Sequence, residues 1–264
     1  MTDLPSITVV TPCLNAAATI ERALESVRGQ GYPDVEHVVV DGGSEDGTVE
    51  ILERAGVRYV SEPDRGLSDA MNKGIAMARG EVIGWLNADD RYEPGALLAA
   101  GRAFAEHPEA PWVTGRCRIV DGEGNEIRRF VSAYKRFFLR RYSRALLISH
   151  NFIQCPATFV RAEALRQAGP LDLRFRYSMD YDLWLRLAKL GDPVVLDAEL
   201  ASFTMAEGTL SMSGFETQFR EHALNAREHG DGHPVAVAAN AVVSRAIVLA
   251  YRAMRAARRR STGA

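Results

Sequence analysis

Two adjacent carboxylates, Asp89 and Asp90, follow an apolar run that ends in Trp85 and Leu86. Like charges side by side at the end of a buried strand repel each other, and desolvating them is costly unless a cation or hydrogen-bond donors compensate. Mg²⁺ takes one or two protein carboxylates and completes its coordination with water and phosphate oxygens. The pair therefore predicts a divalent-metal site or, alternatively, an N-cap and a solvated loop acid ahead of the Pro94 helix.

A second candidate is the glycine-rich segment DGGSEDGT, which begins at Asp41. Gly42 and Gly43 permit positive φ angles, and Asp46 or Thr48 can cap the helix that follows. The segment is neither a phosphate-binding P-loop nor G-x-G-x-x-G. Asp41 is a candidate acceptor for the N–H of a pyrimidine base, with the glycines allowing a ligand ring close to the backbone. A turn that requires glycine is the competing interpretation.

The segment SEPDRGLSDAMNKG carries a third polar group. Arg65 precedes a helix that bears Asp69 and Asn72 one turn apart, so both can face one ligand. The alternative is a helix start with a solvated polar face.

The segment MDYDLWLRL is strongly helical, with Leu183 and Trp184 on its apolar face. Asp180 lies at the edge of that face, near the helix N-terminus, where the helix dipole favours the ionised carboxylate that a general base needs. Asp182 is expected to pair outward with Arg186 at i+4. A structural N-cap is the competing interpretation of Asp180.

The elements that must position these residues alternate regularly over the first hundred residues. Short apolar runs predict buried strands, with amphipathic helical patterns between them. The predicted strands span residues 7–11, 35–41, 57–60 and 81–86. Such alternation implies a parallel sheet with right-handed crossovers, whose ligand crevice lies beyond the carboxyl ends of the strands. The polar segments TPCLN, DGGSEDG, SEPDRG and NADD all fall there.

Beyond residue 106 the pattern is less regular. Residues 112–130 predict two strands around the turn DGEGN, and residues 128–144 mix aromatic with basic side chains. This mixture suits an anionic or lipid-head-group surface, or else a solvated helix whose aromatics pack inward. An Ala/Val-rich helix beyond Pro234 ends in the basic run RAMRAARRRS, which also suits an acidic membrane surface.

Composition limits the class of protein. The chain has 264 residues, 47% of them hydrophobic, enough for one large α/β domain or two small ones. A net charge of −2 gives no support for nucleic-acid binding. Cys13, Cys117 and Cys155 lack a C-x-x-C spacing, which indicates reduced thiols. Without a signal-peptide pattern or an apolar span of about 18 residues, the expected location is cytoplasmic, with the inner face of the cell membrane left open.

Taken in order, the four motifs resemble a family 2 glycosyltransferase of bacterial polysaccharide synthesis. The resemblance covers residues 6–215 and is carried by ITVVTPCLNAAATIERALESV, VVVDGGSEDGT, SEPDRGLSDAMNKGIAMARGEVIGWLNADD and MDYDLWLRL. It implies an α/β fold of the GT-A type, with a parallel-rich, mixed nucleotide-binding sheet flanked by helices. The implied domains are 1–215, divided near residue 110 into nucleotide-sugar and acceptor halves, and a helical extension with a basic tail at 216–264.

The resemblance also implies roles for particular residues. Asp89 and Asp90 would hold Mg²⁺ or Mn²⁺, and Asp180 would be the catalytic base. The implied donor nucleotide site comprises Thr11, Pro12, Asn15, Asp41, Gly43, Arg65, Asp69, Asn72, Asn87 and Ala88.

Three positions depart from the family's pattern. Asn87 replaces the first acid of Asp-x-Asp, and Met179 replaces the Glu of the Glu-Asp base motif. The loop that reads His-Gln-Ala-Thr in relatives is QCPAT here, so its histidine is absent unless His150 substitutes for it.

The implied reaction is an inverting transfer of a sugar to a hydroxyl of a glycan or lipid-linked acceptor in cell-surface polysaccharide synthesis. UDP- or dTDP-sugars are the favoured donors, with GDP-sugars open; no nucleic-acid partner is expected, and homodimer formation and peripheral membrane contact are left open. One alternative is a non-catalytic nucleotide-sugar-binding or scaffold protein, supported only by Asn87 and Met179. The other is a sugar nucleotidyltransferase, for which TPCLNAAAT lacks the Gly-rich basic loop.

Overall fold

The first ninety residues form the predicted alternation of strands and helices. The structure, a computed structural model, describes residues 4–205 and 214–261. The strands are β1 (Ile7–Cys13), β2 (Val35–Asp41), β3 (Arg58–Ser61) and β4 (Val82–Trp85). The helices between them are α1 (Ile20–Arg28), α2 (Thr48–Ala55) and α3 (Leu67–Met77). β1 pairs in parallel with β2 and β4, and β2 with β3, which confirms the predicted parallel arrangement.

The apolar stripe from Leu67 to Ala78 predicts a helix that ends at a Gly80 C-cap. Helix α3 instead ends at Met77, and Ala78 is extended. Gly80 lies against β1 instead: its N–H donates to Thr8 Oγ1 at 2.8 Å, and a Cβ there would lie 2.5 Å from the Thr8 backbone nitrogen. Glycine is required here because two backbones approach closely, not because a helix is capped.

The remaining strands make the sheet mixed. After β5 (Arg91–Tyr92) and helix α4 (Ala96–Glu106) come β6 (Trp112–Val120), β7 (Thr158–Arg161) and β8 (Val194–Thr204). β7 is antiparallel to β4 and β6, and β8 is parallel to β6, which gives the order β3-β2-β1-β4-β7-β6-β8-β5. The predicted second strand after DGEGN is reduced to one bridge between Val120 and Glu126.

Helices cover the second half of this sheet. They are α5 (Arg129–Leu139), α6 (Arg144–Ser149), α7 (Ala162–Ala168), α8 (Met179–Leu190), α9 (Phe215–His229) and α10 (Pro234–Ser261). The core between sheet and helices includes the stacked indoles of Trp112 and Trp184, 5.7 Å apart. Helix α9 packs on α8, and α10 packs on α6 and α9. Within the described ranges, no helix combines the length and apolar character needed to cross a membrane.

Candidate active site

Hydrogen bonds join the loops after β1 and β2 into one surface beyond the strand ends, here called the loop edge. The N–H of Asn15 donates to Ser44 Oγ at 2.7 Å, and the Asn15 side-chain oxygen accepts the Glu45 N–H at 3.0 Å. The N–H of Ala17 donates to Asp46 Oδ2 at 3.0 Å. Asn15 has a left-handed backbone, with φ of 50°, a conformation that asparagine tolerates better than most residues. Two motifs that are separate in sequence therefore form a single surface beyond the strand ends.

Asp41 lies within this edge and is fully buried. Its carboxylate accepts the N–H groups of Gly43 (3.1 Å) and Ser44 (2.9 Å) and the hydroxyls of Ser44 and Ser61 (2.7 Å for Ser61). Burial raises the pKa of Asp41, but the hydrogen bonds from Ser44 and Ser61 outweigh burial and lower that pKa. Gly43 has φ of 90°. The Asp41 anion therefore organises the loop, and its contact with a base stays a prediction.

Several predicted donor-site residues have their side chains inside the protein. Thr11, Pro12 and Ala88 are buried. The side-chain amide of Asn72 donates to the Leu171 carbonyl at 2.9 Å and accepts the Leu171 N–H at 2.8 Å. Asn72 therefore ties α3 to the chain ahead of α8, a contact that the sequence does not reveal. The roles of these four residues at the donor stay predictions.

Arg65 is the exposed member of the third motif. Its side chain is 74% exposed, and its guanidinium lies 3.0 Å from Asp69 Oδ1. Asp69 also accepts the backbone N–H of Arg65 at 3.1 Å. Asp69 thus orients a cationic side chain that remains accessible to solvent and to an anionic ligand.

The adjacent acids after β4 have different surroundings. Asp90 is fully buried, and its carboxylate accepts the Thr204 N–H at 2.8 Å and the Asn87 amide at 2.9 Å. The Asn87 oxygen in turn accepts the Trp85 indole N–H at 2.9 Å. Asp89 is partly exposed and accepts no hydrogen bond from another residue of the described chain. Burial raises the pKa of both carboxyls, most strongly at Asp90, where the charge of Asp89 adds to it.

The chemistry of this pair fits a weakly held divalent cation. No group of three or more His, Cys, Asp or Glu side chains in the described ranges forms a complete metal cage. Asp89 offers a hard oxygen ligand, and Mg²⁺ or Mn²⁺ can take the rest of its shell from water and a bound diphosphate. A cation would also relieve the repulsion between the two carboxylates. The residues therefore suit a metal that binds together with a phosphate ligand.

Asp180 is partly buried in the first turn of α8. Burial raises the pKa of its carboxyl, while the Tyr181 N–H, the charge of Lys135 and the amide of Asn151 oppose that rise. The Tyr181 N–H lies 2.7 Å from Asp180 Oδ1. A carboxylate with a raised pKa is a better proton acceptor than an ordinary aspartate.

The 3₁₀ turn that begins at Cys155 packs against β4 and β5, which flank the acidic pair, and Asn151, four residues earlier, hydrogen-bonds Asp180. Burial raises the pKa of the Cys155 thiol, and the charges of Asp180 and Asp90 raise it further. Both carboxylates are therefore close to the short 3₁₀ turn Cys155–Ala157. Asp90 and Asp180, which are ninety positions apart in sequence, thus lie near the same turn.

His150 belongs to an aromatic cluster near this point. Its ring packs edge-on against Phe138, with centroids 4.4 Å apart, and Ser149 Oγ is 2.9 Å from its Nδ1. Burial lowers the pKa of His150, and the charge of Lys135 lowers it further. The structure therefore gives His150 a packing role, and its substitution for the missing loop histidine stays a prediction.

The start of α8 is held from the C-terminal side by residues that the sequence reading missed. The Glu221 carboxylate accepts the Tyr177 N–H at 2.8 Å and the Ser178 hydroxyl at 3.1 Å. The Asn225 amide donates to Ser178 Oγ at 3.0 Å. Glu221 and Asn225 are four residues apart on α9, so polar residues at helical spacing beside the buried Ala226 were the available signal.

The prediction that Asp182 pairs outward is wrong. Asp182 does pair with Arg186, at 2.6 Å, but both side chains are largely buried. Asp182 also contacts the His229 ring at 2.8 Å, and Arg186 donates to the Gly169 carbonyl at 2.9 Å. Helix α9 covers this side of α8, which is why the pair lies inside.

Residues 8–169 match the family model for glycosyl transferase family 2. The chain belongs to this family. The glycosyltransferase is 32% identical over 210 residues to an uncharacterized glycosyltransferase of Mycobacterium tuberculosis. The alignment covers 77% of this chain and 76% of the relative. The predicted enzyme class is therefore confirmed, and the scaffold and nucleotidyltransferase alternatives are not.

Solved structures confirm the predicted GT-A fold of the glycosyltransferase. S. aureus TarS 1–349 in complex with UDP superimposes with a TM-score of 0.66 at 18% identity, covering 89% of this chain and 68% of TarS. The mannosyltransferase PcManGT of Pyrobaculum calidifontis, in complex with GDP-Man and Mn²⁺, gives a TM-score of 0.63 at 19% identity, covering 96% and 81%.

Proposed function

We propose that this glycosyltransferase transfers a sugar, with inversion, from a nucleotide-diphosphate donor to a hydroxyl of a glycan or lipid-linked acceptor in cell-surface polysaccharide synthesis. The observation that supports this most is that the chain segment from Asn151 to the 3₁₀ turn at Cys155 joins the two acidic groups: Asn151 hydrogen-bonds Asp180, and the turn packs against β4 and β5 beside Asp89 and Asp90. The ligands of the two structural relatives support the donor class and the use of a divalent cation, here Mg²⁺ or Mn²⁺.

The donor would lie across the loop edge after β1 and β2. Asn15, Asp41 and Gly43 would meet the base, since Asn15 and Gly43 are exposed and Gly43 has no side chain to keep a flat ring away. Arg65, oriented by Asp69, would meet the diphosphate with an exposed guanidinium, which is well suited to phosphate oxygens. We assign UDP or dTDP as the favoured nucleotide, with GDP as the alternative.

The reaction needs a stronger nucleophile than a sugar hydroxyl. Asp180 would accept the hydroxyl proton as the oxygen attacks the anomeric carbon from the face opposite the diphosphate. The transition state then carries oxocarbenium character, as in glycosidic bond chemistry generally. Asp89 would hold a divalent cation, which would neutralise the charge that develops on the departing diphosphate. Asp90, held by Thr204 and Asn87, would keep Asp89 directed at the site.

Binding of nucleoside diphosphates tests this function directly. Isothermal calorimetry with UDP, dTDP, GDP and ADP, with and without Mn²⁺, should give metal-dependent binding of one of them. Asp89→Ala should abolish that binding, whereas Glu109→Ala, an exposed acid beyond the end of α4, should retain it. Absence of binding across the panel would contradict the proposal.

We also propose that the enzyme contacts a membrane surface through α5. Phe130 is 82% exposed, Phe137 and Tyr134 are 50% and 41% exposed, and they share one face of a basic helix. Exposed aromatics beside cationic side chains suit an anionic bilayer interface. The basic tail forms the end of α10. Its first arginine, Arg252, pairs with Glu216 at 2.6 Å, and the side chains beyond Arg252 lie outside the described residues. Flotation with anionic liposomes should weaken in Phe130→Ser and not in Leu173→Ser, and equal flotation of the two would contradict the contact.

We propose a domain boundary near residue 215 and, within the first domain, a nucleotide half and an acceptor half that meet near residue 110. Strand β7 joins β4 of the first half to β6 of the second, so the halves would differ in ligand rather than fold separately.

A further inference from the structure

A cavity of about 280 Å³ opens beside the candidate active site. It lies between β6, α5 and β8, whereas the loops assigned to the donor follow β1 and β2, across β4 and β7 in the sheet order. Gln154 lines it and directly precedes the 3₁₀ turn at Cys155. The cavity is therefore on the side of the reaction centre from which an acceptor would enter.

Two lining residues connect the cavity to the reacting groups. Burial raises the pKa of the Cys117 thiol, and the charge of Asp90 raises it further. Burial lowers the pKa of Lys135, and the charges of Asp180 and Cys117 oppose that change. Lys135 is thus close enough to the candidate base for their charges to interact. A group bound at Lys135 would hold its neighbouring hydroxyl near Asp180.

The cavity has an excess of basic side chains. The basic lining residues are Arg116, Arg118, Arg129, Lys135 and Arg136. The acidic lining residues are Glu126 and Glu199. Arg116, Arg118 and Arg129 each have a carboxylate partner within 3.5 Å. Among the residues that the structure describes, Lys135 and Arg136 form no ion pair within 4.0 Å; the charge of Lys135 acts on Asp180, and that of Arg136 on Asp197, from a greater distance.

We infer that this cavity binds an oxyanion of the acceptor, a carboxylate or a phosphate, through Lys135 and Arg136. The inference rests on the proposed function, because it assigns the acceptor to the Asp180 side. A partly buried ammonium without a carboxylate partner gains most from an ionised acceptor group, since charge-assisted hydrogen bonds are the stronger ones. A neutral sugar offers only weaker hydrogen bonds to the same side chains. The acceptor is therefore an anionic glycan or a phosphate-bearing one, in contrast to a neutral glycan.

Binding of small acceptor analogues to the full-length chain, measured in the absence of a donor, tests the inference directly. The probes are phenyl β-D-glucuronide, phenyl phosphate and the neutral phenyl β-D-glucoside, titrated by ligand-observed NMR in metal-free solution. At least one anionic probe should bind about tenfold tighter than the glucoside, the factor that about 1.4 kcal/mol provides. The preferred anion distinguishes a carboxylate-bearing from a phosphate-bearing acceptor.

Variants show whether the cavity is responsible. Lys135→Gln and Arg136→Gln should each remove most of the preference for the anionic probe over the glucoside. Lys135→Arg keeps the positive charge and should retain that preference. Arg102→Gln, an exposed position on α4, is the matched control and should leave binding unchanged. Equal binding of glucoside and both anions, or anion binding that survives the Lys135→Gln, Arg136→Gln double change, would overturn the inference. Failure of the calorimetric diphosphate panel with these results intact would instead contradict the proposed donor.

Discussion

At the scale of single residues, Asp89 and Asp90 have the same chemistry but opposite surroundings. Asp90 is buried and accepts the Thr204 N–H. Asp90→Ala should therefore lower the free energy of unfolding by about 1–3 kcal/mol, because that N–H is left buried without a partner. Asp89→Ala should change it much less and lose metal-dependent binding instead. Urea unfolding of the two variants measures the difference, and equal destabilisation would contradict this assignment.

Asp180 should determine the acid limb of the pH–activity profile. Burial raises its pKa above the usual 3.8, and only the ionised form accepts a proton. The value of kcat/KM should therefore fall as pH decreases through this raised pKa, at higher pH than for an ordinary aspartate. Asp180→Asn should lower kcat about 10²–10⁴-fold and leave diphosphate binding intact. An unchanged acid limb in Asp180→Asn with substantial activity would rule out this base.

Sequence predicts which residues are polar and where they lie along the chain, but it does not predict their partners. The motif at Asp41 was recognised because its glycines and acids are consecutive. Asn72 was predicted to face a ligand, yet its amide contacts Leu171, 99 residues away. Lys135 was not singled out, because nothing within α5 indicates that its ammonium lies near Asp180. Such contacts depend on tertiary packing, which local periodicity does not contain.

At the scale of elements, the buried pair of Asp182 and Arg186 joins α8 to α9 and to the turn at Gly169. Removing one member of a buried pair leaves the other charge uncompensated. Asp182→Ala should therefore destabilise the protein by about 3–5 kcal/mol, as measured by chemical denaturation. Glu163→Ala, which breaks an exposed pair with Arg166 on α7, is the control and should have little effect. Similar losses in both would show that Asp182 is not the buried anchor.

The elements of the first half were predictable because each strand is a local apolar run and each helix a local amphipathic pattern. The elements of the second half were less predictable, since β7 is only four residues long and pairs antiparallel with β4, some seventy-five positions earlier. Helix α5 has only Leu139 fully buried, so its sequence pattern carries little information about packing.

At the scale of the whole molecule, one sheet passes through both predicted halves, with β7 between β4 and β6. Because neither half has a sheet of its own, the chain should unfold in a single cooperative transition. Circular dichroism and tryptophan fluorescence should report the same thermal midpoint, as Trp85 belongs to the first half and Trp112 and Trp184 to the second. Two separated transitions would indicate independent domains.

The contact of Glu221 and Asn225 with Ser178 has a consequence for how the enzyme can diversify. The family match ends at residue 169, while the helix that carries Asp180 and the residues that fix its first turn all lie beyond it. Recombination between homologues would thus succeed at a crossover before α8 and fail at one between α8 and α9. Ser178, Glu221 and Asn225 should therefore be inherited together, because the position of the helix that carries Asp180 depends on all three.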